Sequence, residues 1–382
     1  MRKVLFTIGS LGLGGAESQM VLLMRELSVR DWQCELFVLE AQGPLRAAIE
    51  AAGVPIHEGG YQSGASRWRR AGQLARALHR LWVLARRVRP DVLHAFLPLT
   101  SFLGAVAGRA AGVPLVLTSR RALGTHQDRH PVWKSFDRIA NSLSHRVTVN
   151  SRAVAEDTVA RDAIRRDKLV LIPNGIDFSR FDTSASTRSA IREQLGLGPH
   201  DPAIVAVGNL LAYKGHDDLF GALPAVLERH PRARLFLAGE DRGLEPHLRR
   251  LATSLGILPA TVFLGRRNDI PDLLAAMDVF VLPSHEEGFS NALLEAMASG
   301  LGIVATDVGG NREALDEGAC GLLVPAHDPV ALATAVSRLL SDEDERAALG
   351  RRARDSVRAR YTVSAMVNAH LALYRQGSID VA

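Results

Sequence analysis

Apolar residues along this chain recur in short unbroken runs rather than in strict alternation. Residues 3–8, 34–39, 92–95, 115–118 and 146–149 form such runs in the first half. Residues 203–207, 234–239, 262–265, 279–282 and 302–305 follow in the second, with 321–324 as a short edge candidate. Runs of this kind predict strands covered on both faces, as in a parallel sheet. Helical periods lie between them. Met20, Leu23, Met24 and Leu27 share one face of a helix predicted over 15–29, and further helices are expected near 68–89, 215–230 and 362–375. Strand and helix alternate in two successive series, which predicts two doubly wound α/β domains. Pro173-Asn174-Gly175 and the polar stretch 183–187 interrupt the pattern, so a hinge is expected within 173–200.

Length agrees with two domains: 382 residues suffice for two full cores. No apolar run approaches the ~18 residues that span a bilayer. The N-terminal run reads as a first buried strand rather than a signal peptide. Cys34 and Cys320 lie in different halves, with no disulfide framework and no metal-ligand spacing, and a reducing cytosol is the simplest setting.

Charge divides unevenly. Residues 1–185 carry 26 Lys+Arg against 16 Asp+Glu, and the remainder 20 against 25, giving +10 and −5 and hence the net +5. Eight arginines and no acidic residue fall within 67–89. There Leu74, Leu78, Leu81, Ala85 and Val88 share one helical face, with Arg69, Arg76, Arg80 and Arg87 opposite. A solvated basic face is the plain reading. The sharper one is a patch that rests on anionic lipid, with Trp68 and Trp82 assisting. No nucleic-acid-binding signature accompanies this charge, so nucleic acid is not an expected partner.

The richest local pattern is Glu287-Gly288-Phe289-Ser290-Asn291-Ala292-Leu293-Leu294-Glu295, after the apolar run that ends in Pro283-Ser284. It reads as strand, loop and then a helix from about Ser290. A helix N-terminus offers unpaired N–H groups and favours an anion such as a diphosphate. A carboxylate before that helix and another inside it suit the sugar and ribose ends of a nucleotide-sugar. Lys214 is one of four lysines beside 42 arginines (46 Lys+Arg in all), and it precedes Gly215. A compact point charge there suits a departing diphosphate; a solvated loop lysine is the alternative. Gly12, Gly14 and Gly15 follow the first strand, where glycine lets a ligand approach the backbone. The G-x-G-x-x-G dinucleotide pattern is not met, and Glu40 gives an NAD-dependent enzyme only weak support.

Four segments in order carry a family resemblance. They are Gly14-Gly15-Ala16-Glu17, Ile172-Pro173-Asn174-Gly175-Ile176-Asp177, Val207-Gly208-Asn209-Leu210 running to Lys214-Gly215, and Pro283-Ser284 with Glu287, Glu295 and Val304-Ala305-Thr306. Together they resemble retaining glycosyltransferases of family 4, which have the GT-B fold. The resemblance implies an N-terminal acceptor-binding domain over 1–185 and a nucleotide-sugar-binding domain over 186–360. A helix over 361–382 would cross back onto the first domain, and the ligand cleft would lie between the domains. It assigns Glu287 to the donor sugar and Glu295 to ribose hydroxyls. Backbone N–H groups of Phe289, Ser290 and Asn291 would meet sugar and phosphate. Gly14, Gly15, Asn209, Lys214 and Arg266 would complete the donor set.

The implied reaction moves a sugar from a UDP- or GDP-linked donor to an acceptor hydroxyl. It passes through an oxocarbenium-like transition state, with no metal and no further cofactor. Lys214, Glu287 and Arg120 are the catalytic candidates. Two departures stand out: Asn209 lies where relatives carry a second cation, and Arg120 lies near where many place a histidine. Arg120, Arg121 and His126 are then the acceptor candidates, with His130 a few residues on and His94 at the end of another strand. A lipid-linked saccharide of cell-surface polysaccharide assembly is the expected acceptor. The expected location is cytoplasmic, with peripheral contact at the inner face of the membrane. The alternatives are a GT-B epimerase or hydrolase acting on the nucleotide-sugar itself, and a non-catalytic nucleotide-sugar-binding protein.

Overall fold

The computed structural model describes residues 2–129, 132–182 and 184–376. The chain parts into two units, Met1–Gly175 with Val363–Ala382, and Ile176–Thr362. The first holds a seven-stranded sheet of β1 (Arg2–Ser10), β2 (Trp32–Glu40), β3 (Ile56–Glu58), β4 (Val92–Phe96), β5 (Leu115–Arg120), β6 (Arg146–Val149) and β7 (Leu169–Leu171). Its order is β3-β2-β1-β4-β5-β6-β7, and every pairing is parallel. The second holds β8 (Ala203–Val207), β9 (Arg234–Ala238), β10 (Thr261–Gly265), β11 (Val279–Leu282), β12 (Gly302–Thr306) and β13 (Leu322–Val324). Their order is β10-β9-β8-β11-β12-β13, again parallel throughout.

The apolar runs have the expected cause. On β1, Val4, Phe6 and Ile8 enter one core and Leu5 the other. On β8, Ala203 and Val205 face one layer of helices, and Ile204 and Ala206 the opposite layer. Both faces of each sheet are covered, so neither shows polar alternation. The α/β reading with two doubly wound sheets holds. The edge strands β3 and β7 were not expected. Two of the three residues of β3 are polar, and β7 is a brief apolar run of the same length as β13, which was expected.

The first unit ends at Gly175, about ten residues before the expected 185. Ile176 and Phe181 pack into the second core, which draws the chain across early. Ile176 also donates its N–H to the Tyr361 carbonyl at 2.8 Å. On the other side, Gln19 clamps Gly175 to the first unit: its Nε2 donates to the Gly175 carbonyl (2.9 Å) and its Oε1 accepts from the Gly175 N–H (2.8 Å). The helix Val363–Gln376 returns to the first unit, where Met366, Val367, Leu371 and Tyr374 join its core.

The arginine-rich helix spans Arg67–Val88. Ala77, Leu81, Leu84 and Ala85 are buried on its inner face, and Arg69, Arg76, Arg80 and Arg87 are exposed. Trp68 is 88% exposed. Trp82 is part-buried and donates toward the Ala110 carbonyl at 3.4 Å, which places it against the fold rather than with Trp68. No described helix is long and apolar enough to cross a membrane.

Candidate active site

In an open parallel sheet, ligands collect beyond the carboxyl ends of the strands, where the strand order reverses. In the second unit that point lies between β8 and β11, whose pairing includes Val279 with Ile204 and Phe280 with Val205. The loop after β8 carries Asn209 and Lys214, and the loop after β11 carries Glu287. The structure brings these last two together. Lys214 Nζ lies 2.7 Å from Glu287 Oε1, and Ser284 Oγ donates to the same oxygen at 2.7 Å. Ser284 is fully buried and Glu287 nearly so.

The backbone around this pair is tightly built. Gly215 sits at φ +68°, and a Cβ there would fall 1.9 Å from the Pro283 carbonyl oxygen. Gly309, at φ +52°, lies so close to Glu287 that a Cβ would meet its carbonyl oxygen at 1.7 Å. His285 donates its N–H to the Tyr213 carbonyl at 2.8 Å, which joins the two loops directly. The Thr306 hydroxyl donates to the Ser284 carbonyl, and Asn311 Nδ2 holds the Thr306 carbonyl at 3.0 Å. Glu287 is thus fixed from β8, β11 and β12 at once.

Beyond Glu287 the helix Asn291–Ala298 begins, with Ser290 as N-cap accepting from the Leu293 N–H at 3.3 Å. The Phe289 side chain is core, packed edge-on against Tyr361 with ring centroids 5.1 Å apart. Glu295 lies one turn inside the helix. Burial pushes its carboxyl up to about 7, against an opposing pull from Arg180. Asn209 accepts from the Glu240 N–H at 3.3 Å and so ties the β8 and β9 loops together. Arg266 is exposed beyond β10, while Arg267 is engaged by Asp269.

In the first unit, Gly14 and Gly15 open the helix Gly15–Ser28, and Gly14 lies beneath the folded side chain of Glu17. Arg120 departs from expectation. Its guanidinium is buried and paired with Asp137 (2.6 Å) and Asp162 (3.1 Å). Two carboxylates inside the same unit consume its charge, so Arg120 holds the fold and is withdrawn as a catalytic or acceptor group. Arg121 differs. Its Nε and Nη1 are buried without a hydrogen-bond partner, and its guanidinium lies 5.7 Å from the Phe96 ring centroid. Burial pulls it down to about 10, with Tyr374 opposing. A small cavity of about 40 Å³ beside Ser119, Arg121 and Gly124 is of the size for water, not for a saccharide.

His94 is also structural. It is wholly buried, with Nδ1 2.7 Å from the Tyr374 hydroxyl and Nε2 2.8 Å from Ser119 Oγ. Both ring nitrogens are spent on the fold. His126 starts a short helix, but its side chain lies outside the described residues, as does His130.

Two family models match: Glycosyltransferase Family 4 over residues 13–180 and Glycosyl transferases group 1 over residues 201–342. An uncharacterized glycosyltransferase of Methanocaldococcus jannaschii is 31% identical over 281 residues, covering 71% of this chain and 72% of its own. The chain belongs to the family 4 glycosyltransferases. A D-inositol 3-phosphate glycosyltransferase of Saccharomonospora viridis is 32% identical to this glycosyltransferase over 75% of the chain and 70% of its own length. Among solved structures, Anabaena HepE in complex with UDP and glucose superposes with a TM-score of 0.86, at 24% identity, covering 98% of this chain and all of that one. That likeness establishes the GT-B fold. The family makes the protein a nucleotide-sugar-dependent glycosyltransferase.

The motifs had located Lys214, Glu287, Ser290 and Glu295, and the structure places all four in one unit. Sequence reasoning missed Ser284 as a partner of Glu287, although it lies inside the quoted motif. It also missed a second group beside the site. Asp218, His285 and His327 bring one ligand-type atom each within 4.8 Å of one another. Their separation along the chain hides them from any motif.

Proposed function

We propose that this enzyme transfers a sugar from a uridine- or guanosine-diphosphate donor to a hydroxyl of a phosphate-bearing acceptor, with retention at the anomeric carbon. The observation that carries this reading is the Lys214–Glu287 contact at the strand-order reversal of the second sheet, beside the capped helix Asn291–Ala298. An ammonium has three protons. One goes to Glu287, and the others serve the diphosphate as negative charge grows on the leaving oxygen. Such stabilisation is typically worth about 10²–10³ in rate. Glu287, held by Ser284 and Lys214, is oriented to accept a hydroxyl of the donor sugar. Glu295 takes the ribose hydroxyls. UDP is favoured because HepE, with the same fold, has been captured with UDP-glucose. The bond between the anomeric carbon and the diphosphate oxygen breaks first, the acceptor oxygen bonds to that carbon from the same face, and the departing diphosphate takes the acceptor proton, so no carboxylate nucleophile is needed.

On the acceptor side, Arg121, unlike Arg120, is engaged by no carboxylate among the described residues, and a guanidinium suits a phosphate. Relatives that act on D-inositol 3-phosphate support that class. A lipid-linked saccharide carries phosphate too, and the exposed arginine face of Arg67–Val88 would favour an anionic membrane surface.

The test is a thermal-shift panel of UDP-, GDP-, ADP- and dTDP-sugars in metal-free buffer, followed by transfer assays on wild type and Lys214→Met. A donor at about 100 times its Kd stabilises the native state by about 2.7 kcal/mol. One base class is expected to raise the melting temperature. Lys214→Met should keep the fold by circular dichroism and lose at least about a hundredfold in transfer. Inositol phosphate and lipid-diphosphate saccharides, assayed in parallel, separate the two acceptor sources. No stabilisation by any donor would sink the proposal.

A further inference from the structure

Three segments of the second unit meet at a cluster that the sugar-transfer chemistry does not use. Asp218 lies in the first turn of the helix His216–Arg229. His285 lies in the loop after β11, and His327 just before the helix Pro329–Ser341. His285 Nε2 is 2.8 Å from Asp218 Oδ2, and His327 Nδ1 is 3.8 Å from the same oxygen. The two imidazole centroids are 3.7 Å apart.

A histidine–aspartate hydrogen bond beside a helix N-terminus is ordinary by itself. The third residue makes the difference. His327 sits at φ +60°, a left-handed conformation that is strained for a residue other than glycine. Its 3.8 Å approach to Asp218 is too long for a hydrogen bond. A bulky imidazole is therefore held in a glycine-like backbone position, laid on a second imidazole, and aimed at a carboxylate it does not bond. A cation among the three supplies the missing partner.

We propose that Asp218, His285 and His327 form a binding site for a divalent transition-metal ion of the zinc class. Ligand type sets the class: two imidazoles and one carboxylate suit Zn²⁺, Co²⁺ or Ni²⁺, whereas Mg²⁺ and Ca²⁺ prefer oxygen throughout. Spacing agrees. Two ligands each about 2.0–2.1 Å from a tetrahedral ion stand about 3.3 Å apart, and the observed 2.8 and 3.8 Å bracket that value. The site has an open side, since the His327 side chain is 68% exposed, while Asp218 and His285 are largely covered. Three protein ligands and an exposed fourth position are a recognised zinc arrangement.

The ion's role is to position loops rather than to react. His285 is two residues before Glu287, and its N–H already holds the Tyr213 carbonyl beside Lys214. A metal there pins the β11 loop, the turn after β8 and the approach to Pro329 to one another. The donor proposal does not depend on it.

The test uses tag-free full-length protein, stripped with a chelator and titrated calorimetrically with Zn²⁺ and by visible absorption with Co²⁺. One equivalent should bind per chain, raise the melting temperature, and give the strong absorption of tetrahedral Co²⁺. His327→Gly suits the backbone and removes a ligand. It should leave the metal-free melting temperature unchanged or higher and weaken binding at least tenfold. Asp218→Asn should weaken it likewise. His247→Ala, at a separate histidine–aspartate pair with Asp217, should leave binding intact. Absence of saturable Zn²⁺ binding, or wild-type affinity in His327→Gly, overturns the site.

Discussion

Glu295 shows how burial can set the pH behaviour of a donor site. Its ordinary value is 4.5, and desolvation carries it to about 7 in the folded chain despite Arg180. Between those values the native state holds a proton that the unfolded chain has released. Stability contributed by this group therefore falls as pH rises from about 4.5 through about 7. Glu295→Gln should flatten that part of the melting-temperature profile, measured by calorimetry between pH 4.5 and 8. Donor affinity should run the opposite way, because ribose hydroxyls donate to the carboxylate and not to the acid. Wild-type binding should strengthen as pH approaches 7 and level off above it, and the glutamine variant should bind weakly with no such trend. An unchanged pH profile in Glu295→Gln would remove Glu295 from the donor site. The companion residue Arg120 teaches the converse. Its identity and position near the end of β5 advertised an anion-binding role, yet Asp137 and Asp162 neutralise it from afar. Sequence displays a charge but not its partner, and for a buried ion the partner decides the role.

At the scale of elements, the loops after β11 and β12 act as one piece. Gly309 is the contact point, with left-handed φ and no room for a methyl group against the Glu287 carbonyl. Gly309→Ala must either move the Glu287 loop or strain its own, and the obstructing atom is backbone that cannot swing aside. The left-handed penalty alone is about 1 kcal/mol, and the clash adds to it. The expected result is a melting temperature lower by several degrees and donor affinity weakened by more than the stability loss explains. Calorimetry and a donor titration on one sample separate the two effects. Elements of this kind were only partly legible beforehand. Interior strands such as Ala203–Val207 and Val279–Leu282 could be read to the residue, because burial on both faces writes an unbroken apolar run. The edge strand Ile56–Glu58 could not, since two of its three residues are polar, and Leu169–Leu171, a short apolar run of its own, was not expected. The site followed the same rule. Glu287, Ser290 and Glu295 lie within one loop and helix and are visible together. Asp218, His285 and His327 converge only after folding.

At the scale of the whole molecule, the first unit is completed by the far end of the chain. Met366, Val367, Leu371, Leu373 and Tyr374 enter the core built on β1, β2 and β4. The Tyr374 hydroxyl also reaches the buried His94 ring, which continues through Ser119 to Thr148. Burying an apolar side chain is worth about 1.5–3 kcal/mol, so five of them contribute on the order of 10 kcal/mol. That matches the entire stability of a typical domain, about 5–15 kcal/mol. Removal of residues 363–382 should therefore unfold the first unit, because the face of its sheet that the helix Val363–Gln376 covers would be laid bare. The second unit has its own two apolar layers and loses nothing from them. Limited proteolysis of the truncated chain should digest residues before Gly175 rapidly while a fragment close to 176–362 persists. Tyr374→Phe separates packing from hydrogen bonding. It keeps the ring against Trp32, 5.5 Å between centroids, but leaves His94 Nδ1 without its partner, at a cost of about 1–3 kcal/mol. Wild-type protease resistance in the truncated chain would show that the returning helix merely rests on a first unit that is already complete.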